Sequence, residues 1–482
     1  KVLQEARALG TEVRPSDLAG RLDCRTDAVV TIDPEDAQDF DDAFCLERTP
    51  GGDWKLWVHI ADVSHYVKPG TALDEEAARR GNSTYLVDRV VPMLPEMLSN
   101  ELCSLKPGVD RLTKCVEFLL DPQGRVLRTQ FYPAVIHSRR RYHYGEVLAI
   151  LQREPRDDLE RMLHQASALA QSIRRARFKA GSLDLDFPES KIRLDEQGRI
   201  LRLERLENDL SHQLIEEFML LANEAVAARL MALRRPALYR VHEPPDPKRL
   251  EEFRQEVLSH HIQCGHLSSR HEVQKLLEKL NRLPIGAALK IGFLKSLMRA
   301  RYAVEPLGHY GLAKKKYTHF TSPIRRYADL MVHRALFGRD GAGLAGAALT
   351  RLADHLSETE RNSDDAERDS KDVKLFAFLN EQLRSHHPKR YAALVTDVRN
   401  FGFFVDVPDL AMTGLVPLSG LSDDFYDFDP RRSQLIGRRT RRVFKLGDKT
   451  EVQVAKVDTF KRQVDFRLAP PPRKASGPSR HA

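Results

Sequence analysis

Five aspartates fall inside the segment TIDPEDAQDFDDAF, at Asp33, Asp36, Asp39, Asp41 and Asp42. Carboxylates at this density repel one another. They are stable together only in water or around cations. Hard divalent cations such as Mg2+ prefer oxygen ligands and keep waters for substrate phosphates. Two such ions on one site activate a water and stabilise a departing oxygen at phosphorus. The pattern therefore points to phosphodiester chemistry. A calcium EF-hand loop fails, because its glycine position counted from Asp33 is Gln38 and its glutamate position is Phe44. A plain solvated acidic loop is the rival reading. The apolar frame, Val29, Val30 and Ile32 before and Ala43 and Phe44 after, argues against it by burying both flanks.

Aiming these carboxylates at one point requires a strand end followed by an irregular loop, since strand alternation alone splits Asp41 from Asp42. Residues 29 to about 135 read as strands: AVVTI, WKLWVHIAD, CVEFLLD, QGRVLRTQFY and AVIHS, separated by turn signals such as Gly51-Gly52 and Pro122-Gln123-Gly124. Residues 144–179 read as helix, with Leu148, Leu151, Leu159 and Leu163 on a repeating face, and 181–207 as a short β segment. A long helix covers about 210–234, and further helices run to about 384. Mixed elements over such a stretch indicate one large α+β domain, 29–384, after a lead-in of residues 1–28. The composition changes at Ser385-His386-His387-Pro388. Five short strands then fill 389–468, as in a small barrel of the OB type. Residues 469–482, rich in Pro, Ser and basic side chains, have no means of forming a core and read as a disordered basic tail.

The chain has 482 residues and a net charge of +8, which favours a polyanionic partner, usually nucleic acid. No run of about 18 apolar residues exists, so a membrane protein is excluded. The five cysteines are scattered without a CxxC pair; neither a zinc knuckle nor a disulfide scaffold is indicated, and a reducing, cytoplasmic setting is expected. His59, His65, His309 and His319 have no ligand spacing and read as packing groups.

The sequence resembles the ribonuclease II / ribonuclease R family, exoribonucleases with an RNB catalytic domain, and within it the ribonuclease R branch. The resemblance rests on TIDPEDAQDFDDAF, WVHIADVSHYV (57–67), VPMLPEMLSNELCSLKPGVDRL (91–112), LIEEFMLLANEA (214–225) and YTHFTSPIRRYADLMVHR (317–334), in the family's order and over residues 15–468. It implies a Mg2+-dependent hydrolytic exonuclease, with two ions, that degrades single-stranded RNA processively from the 3′ end to nucleoside 5′-monophosphates. The metal-binding aspartates fall on Asp33, Asp39, Asp41 and Asp42, with Asp41 the most tied to chemistry. Arg325 falls on the arginine that fixes the terminal phosphates, Glu367 on an acidic residue near the scissile end, and Tyr144 on the aromatic that clamps the terminal base. Glu217, or its neighbour Glu216, is expected to face the terminal nucleotide. The carboxy-terminal barrel resembles the RNA-binding domain first seen in a ribosomal protein, with Phe401, Phe403 and Phe404 as stacking candidates.

Each placement also has a reading of its own. Ser322 and Pro323 fit the N-cap and first position of a helix, which would put Arg325 and Arg326 in a first turn suited to phosphate. The bland alternative makes them salt-bridge partners of Asp329. Tyr144 alone would be an ordinary helix-start tyrosine, although stacking is the usual grip on single-stranded RNA. Glu367 alone would be a surface charge, and alternation lets only some of the barrel phenylalanines face outward. Family members usually carry two cold-shock-type barrels ahead of the catalytic domain; before residue 29 there is room for neither, which bears on affinity rather than chemistry. A monomer is expected. Two rival functions remain: a catalytically silent RNB-like RNA-binding regulator, disfavoured by the intact aspartates, and a metal-dependent DNA nuclease.

Overall fold

The computed structural model describes residues 1–185, 189–283, 285–338, 344–385, 388–430 and 432–470; the expected basic tail lies outside these from 471 onward, as do His386 and His387 at the expected composition change. The chain forms two compact units. The first combines Lys1–Asp186, Asn208–Pro245 and Met298–Arg368, and the second combines Phe187–Glu207, Asp246–Leu297 and Asp369–Ala482.

The first unit is built on a seven-stranded sheet. Its spatial order is Leu22–Cys24, Val126–His137, Asp110–Leu120, Trp54–Ala61, Asp42–Arg48, Val30–Asp33 and Arg140–His143. The two outermost pairings are parallel and the inner ones antiparallel. Trp54–Ala61 is buried along almost its whole length, which explains its near-continuous apolar run in place of alternation. Helix Leu210–Ala232 lies against the sheet, where Phe218 meets Phe44 edge to face at 5.4 Å. Asp209 starts that helix by accepting the Ser211 and His212 N–H groups.

Several sequence expectations are revised here. The stretches 123–132 and 134–138 form one strand, Val126–His137, with Pro133 inside it opposite Lys114. The helical stretch 144–179 is two helices, Tyr144–Leu151 and Asp158–Lys179, the second capped by Asp157. The lead-in supplies a strand, Leu22–Cys24.

That strand is secured by charge. Arg21 Nη2 lies 2.7 Å and Lys114 Nζ 3.1 Å from Asp62 Oδ2, a carboxylate fully withdrawn from solvent. Burial opposes the charge on Asp62, but Lys114 and Arg21 outweigh it and hold its carboxyl below the ordinary carboxylate range. A depressed carboxyl stabilises the folded state above the unfolded value, about 4, and this contribution fades as pH falls through and below it. Urea midpoints measured from pH 7 to pH 3 are expected to fall for the native protein. Asp62→Asn is expected to lower the midpoint at pH 7 and to flatten the acid limb; an unchanged limb would sever this residue from acid stability.

The second unit contains a closed barrel in the order Tyr391–Arg399, Gly402–Val407, Met412–Pro417, Gln463–Leu468 and Lys449–Asp458, the five strands expected of an OB fold. Its core includes Phe403, Phe444 and Phe466. A further three-stranded sheet, Tyr426–Asp429, Gln434–Gly437 and Val443–Lys445, went unread in the sequence. The unit also holds the hairpin of Glu189–Leu194 with Ile200–Leu206 and the helices Pro247–Ser259, Arg270–Asn281 and Gly286–Ser296. The architecture is α+β with a carboxy-terminal barrel. Among the described residues no helix is long and apolar enough to cross a membrane.

Candidate active site

The acidic segment leaves the sheet at Asp33 and re-enters it at Asp42. Parallel register sets Asp33 beside His143, so the helix that begins with Tyr144 starts next to the first carboxylate. The intervening loop is pinned on both sides of Asp39. Ser104 Oγ donates to the Gln38 carbonyl at 2.7 Å and accepts the Phe40 N–H at 3.0 Å. Arg141 donates to the Pro34 and Glu35 carbonyls and lies over the Phe40 ring at 4.8 Å. The Asp41 carbonyl accepts the Ala61 N–H at 2.9 Å. Ser104 and Arg141 had no signal in the sequence, because their partners are main-chain groups far along the chain.

The arginine segment differs from its expected form. Helix Tyr327–Phe337 begins after both arginines, with Arg326 at its N-cap position, and Ser322–Arg325 form a turn ahead of it. Ser322 is therefore not the cap. Asp329 reaches back instead, accepting the Ser322 N–H at 2.8 Å and two Arg326 N–H groups at 2.8 and 2.9 Å. Arg326 is thus paired with the buried Asp329, and its side chain keeps 18% exposure. The turn offers the Ile324 N–H to Asp41 Oδ1 at 2.9 Å. Arg325 Nε lies 4.0 Å from Asp41 Oδ2, and its side chain keeps 42% exposure, enough to meet a phosphate.

Tyr144 opens its helix as the bland reading foresaw, and its ring stacks on His212 at 3.9 Å with 13° between planes. Glu217 requires correction. It is buried, and both its carboxylate oxygens are taken by Arg177, with Arg174 at 3.2 Å; Glu216, 32% exposed at its side chain, is the member that faces outward. Arg177 lies forty residues upstream, so the pairing was invisible in sequence. Glu367 stands on helix Gly346–Arg384, one turn after Ser363, which bonds Asn82 and Thr84 at 2.7 Å each.

The carboxylates interact as one group. Burial, then the Asp42 charge, pushes the Asp33 carboxyl up to about 8. Burial lifts Asp42 to about 6 and Asp41 well above the ordinary range, against the pull of Arg325 on both. The Tyr144 phenol is raised by burial and then by Asp42 and Asp33. Asp33, Asp41, Asp42, Tyr144 and Arg325 therefore share one local field. The residues fit divalent cations on a further observation: Asp33 Oδ2 and Asp41 Oδ2 are buried and have no hydrogen-bond partner among the described residues. Buried carboxylate oxygens in that condition demand protons or cations. Among the described residues no ready-made cage of three ligands exists. Mg2+ does not require one, since it is held by one or two carboxylates and completed by waters and substrate phosphates.

In the barrel, Phe403 is fully buried and stacks on Phe444 at 4.7 Å, so its expected RNA contact is replaced by a core role. Strand alternation sends it inward. Phe401 is 51% exposed and meets Phe404 edge to face at 6.2 Å. Phe401→Ala is expected to weaken single-stranded RNA binding about ten-fold by fluorescence anisotropy, from one lost base stack, while the melting temperature stays put. Unaltered affinity would remove Phe401 from the interface.

The family model for the RNB domain matches residues 21–338. The chain belongs to the RNB family. The model for the S1 RNA-binding domain matches residues 389–468 of this RNB-family chain. Ribonuclease R of Thermotoga maritima is 42% identical over 97% of this chain and 68% of its own length. Ribonuclease R of Escherichia coli is 38% identical over 97% of this chain and 60% of its own length. The chain thus spans about two thirds of the length of these RNB relatives. The Mycoplasma genitalium RNase R, solved in complex with ribose-methylated single-stranded RNA, superimposes with a TM-score of 0.87 at 32% identity, covering 97% of this chain and 75% of that one.

Proposed function

We propose that this RNB-family chain is a hydrolytic exoribonuclease that shortens single-stranded RNA from its 3′ end, releasing nucleoside 5′-monophosphates, with Mg2+, as two ions, held by Asp33, Asp39, Asp41 and Asp42. The observation that carries the reading is the pair of buried carboxylate oxygens on Asp33 and Asp41 that have no hydrogen-bond partner among the described residues, in one field with Tyr144 and Arg325. The RNB relatives named ribonuclease R support the same activity. The catalytic domain, expected over 29–384, also takes in the lead-in strand Leu22–Cys24 of its sheet, and the barrel at 389–468 binds RNA; the protein acts as a cytoplasmic monomer.

Asp33, Asp39, Asp41 and Asp42 would hold the divalent cations, which when bound would supply Lewis acidity toward water and toward the departing 3′ oxygen. The chain's own groups do the rest. Tyr144, backed by the His212 ring, offers a flat face to the terminal base and sets how far the strand advances. Arg325 neutralises the phosphate oxygens whose charge grows toward the transition state. Asp329 and the Ser322–Arg325 turn hold that arginine in place. Glu367 stands near the scissile end. Selection for RNA follows from contacts to the 2′-hydroxyl.

Incubation of the protein with a 5′-labelled oligoribonucleotide, with and without Mg2+, tests the reading. The expected products are a short 5′-labelled end product without accumulation of intermediates and 5′-monophosphates in the small fraction, all abolished by EDTA. Binding without cleavage would favour the silent regulator, and cutting of an oligodeoxynucleotide would favour the DNA nuclease.

A further inference from the structure

We infer that His212 is a positioning residue for the terminal nucleotide: tethered by Asp209, its ring closes one face of Tyr144 and fixes the plane in which the opposite face meets the strand end. The inference rests on the reading of Tyr144 as a contact of that nucleotide. Three observations carry it.

The first is that Tyr144 depends on its neighbour. It opens helix Tyr144–Leu151, beside the acidic strand, because His143 pairs with Asp33. Its main chain is fixed in this way, but among the described residues no hydrogen bond holds its hydroxyl. Packing therefore sets the ring plane. The packing partner is His212, with 3.9 Å between ring centroids and 13° between planes. Aromatic pairs left to themselves favour offset or edge-to-face contacts with centroids about 4.5–7 Å apart. A closer, nearly parallel pair needs one ring to be held from elsewhere.

The second observation is that hold. Asp209 Oδ1 accepts the His212 Nδ1–H at 3.0 Å, beside the main-chain N–H groups of Ser211 and His212. A carboxylate only accepts, so this bond also fixes the imidazole proton on Nδ1. The helix sets one end of the side chain and Asp209 sets the other. The third observation is that the helix start is itself anchored. Gln213 donates to the Asn208 carbonyl at 2.6 Å and accepts from Gln171, on helix Asp158–Lys179, at 2.8 Å. Support thus runs from a packed pair of helices through Asp209 and His212 to Tyr144. A ring that served only to fill space would need no such tether, and the His212 side chain is 36% exposed. With its rear face covered, Tyr144 meets a base on one side only.

The test compares the native protein with Tyr144→Ala, His212→Ala, the double variant and His212→Phe. Binding of a short 5′-labelled oligoribonucleotide is measured by fluorescence anisotropy in EDTA. Tyr144→Ala is expected to weaken binding about ten-fold, the cost of one lost base stack, and His212→Ala about five-fold. In the double variant the loss is expected to stay near ten-fold rather than reach about fifty-fold, because His212 acts through Tyr144. His212→Phe, which keeps a ring against Tyr144, is expected to bind within about two-fold of native. If Tyr144→Ala weakens binding and His212→Ala does not, the positioning role is overturned and the reading of Tyr144 stands. If Tyr144→Ala leaves binding unchanged, that reading fails and the role of His212 falls with it. Losses that multiply in the double variant mean that His212 meets RNA on its own account. A His212→Phe protein as weak as His212→Ala means that the stacked ring is not what orients Tyr144. Either result also overturns the inference.

Discussion

Asp41→Asn is expected to stop mononucleotide release while RNA stays bound. Asp41 is 4% exposed, and its two oxygens have different jobs. Oδ1 accepts the Ile324 N–H, a bond that asparagine's carbonyl oxygen retains. Oδ2 has no hydrogen-bond partner among the described residues, and the substitution places an amide there, 4.0 Å from the Arg325 Nε at the native separation. The local fold is kept, and on the proposed reading a cation ligand is lost. Metal assistance contributes several kcal/mol to such reactions, so single-turnover rates are expected to fall by about a thousand-fold or more. RNA affinity is carried elsewhere, by stacking and by phosphate contacts. Anisotropy should therefore report a dissociation constant near the native one. Release of mononucleotides by the variant at an appreciable rate would show that Asp41 is not central.

Arg325→Ala is expected to lower kcat by about 10²–10³-fold, the usual consequence of removing one donor aimed at developing charge. Arg325 is held by its main chain, through the Ser83 N–H and the turn that Asp329 clamps. Its guanidinium makes one hydrogen bond to Ser322 Oγ at 3.1 Å and otherwise stands beside the Asp41 carboxylate. The fold loses little when it is cut back, so the melting temperature should hold. Arg325→Lys is expected to recover only part of the rate, because an ammonium lacks the planar fork that pairs with two phosphate oxygens. Steady-state rates on an oligoribonucleotide at fixed salt decide the matter; a kcat within about two-fold of native would leave this arginine with no role in charge stabilisation.

The chemistry was more legible in the sequence than the geometry. The aspartate cluster announced itself by residue type and density, and the five barrel strands by period-two alternation and turn residues. What stayed hidden depended on distant partners. Asp33 meets the helix of Tyr144 because of a parallel pairing across more than a hundred residues, which local pattern does not encode. Ser322 and Pro323 form a sound helix start on local rules. Asp329 nevertheless clamps the Ser322 N–H and Arg326 and moves the start to Tyr327. Glu217, which the resemblance sets toward the terminal nucleotide, is instead buried against Arg177 from another helix. Alternation permitted either Phe403 or Phe404 to point inward, and only the barrel's closure decided for Phe403. The sheet of Tyr426–Asp429, Gln434–Gly437 and Val443–Lys445 has strands of three or four residues, too short for periodicity to register.

The most direct test is diffraction from crystals grown with Mn2+ and an RNA whose 3′-terminal linkage resists cleavage, recorded at the manganese absorption edge. The expected result is anomalous density between the carboxylates of Asp33, Asp39, Asp41 and Asp42 and the last bridging phosphate, with Tyr144 on the terminal base and Arg325 on the phosphate oxygens. Manganese absent from that position, or an RNA end lying away from those carboxylates, would contradict it.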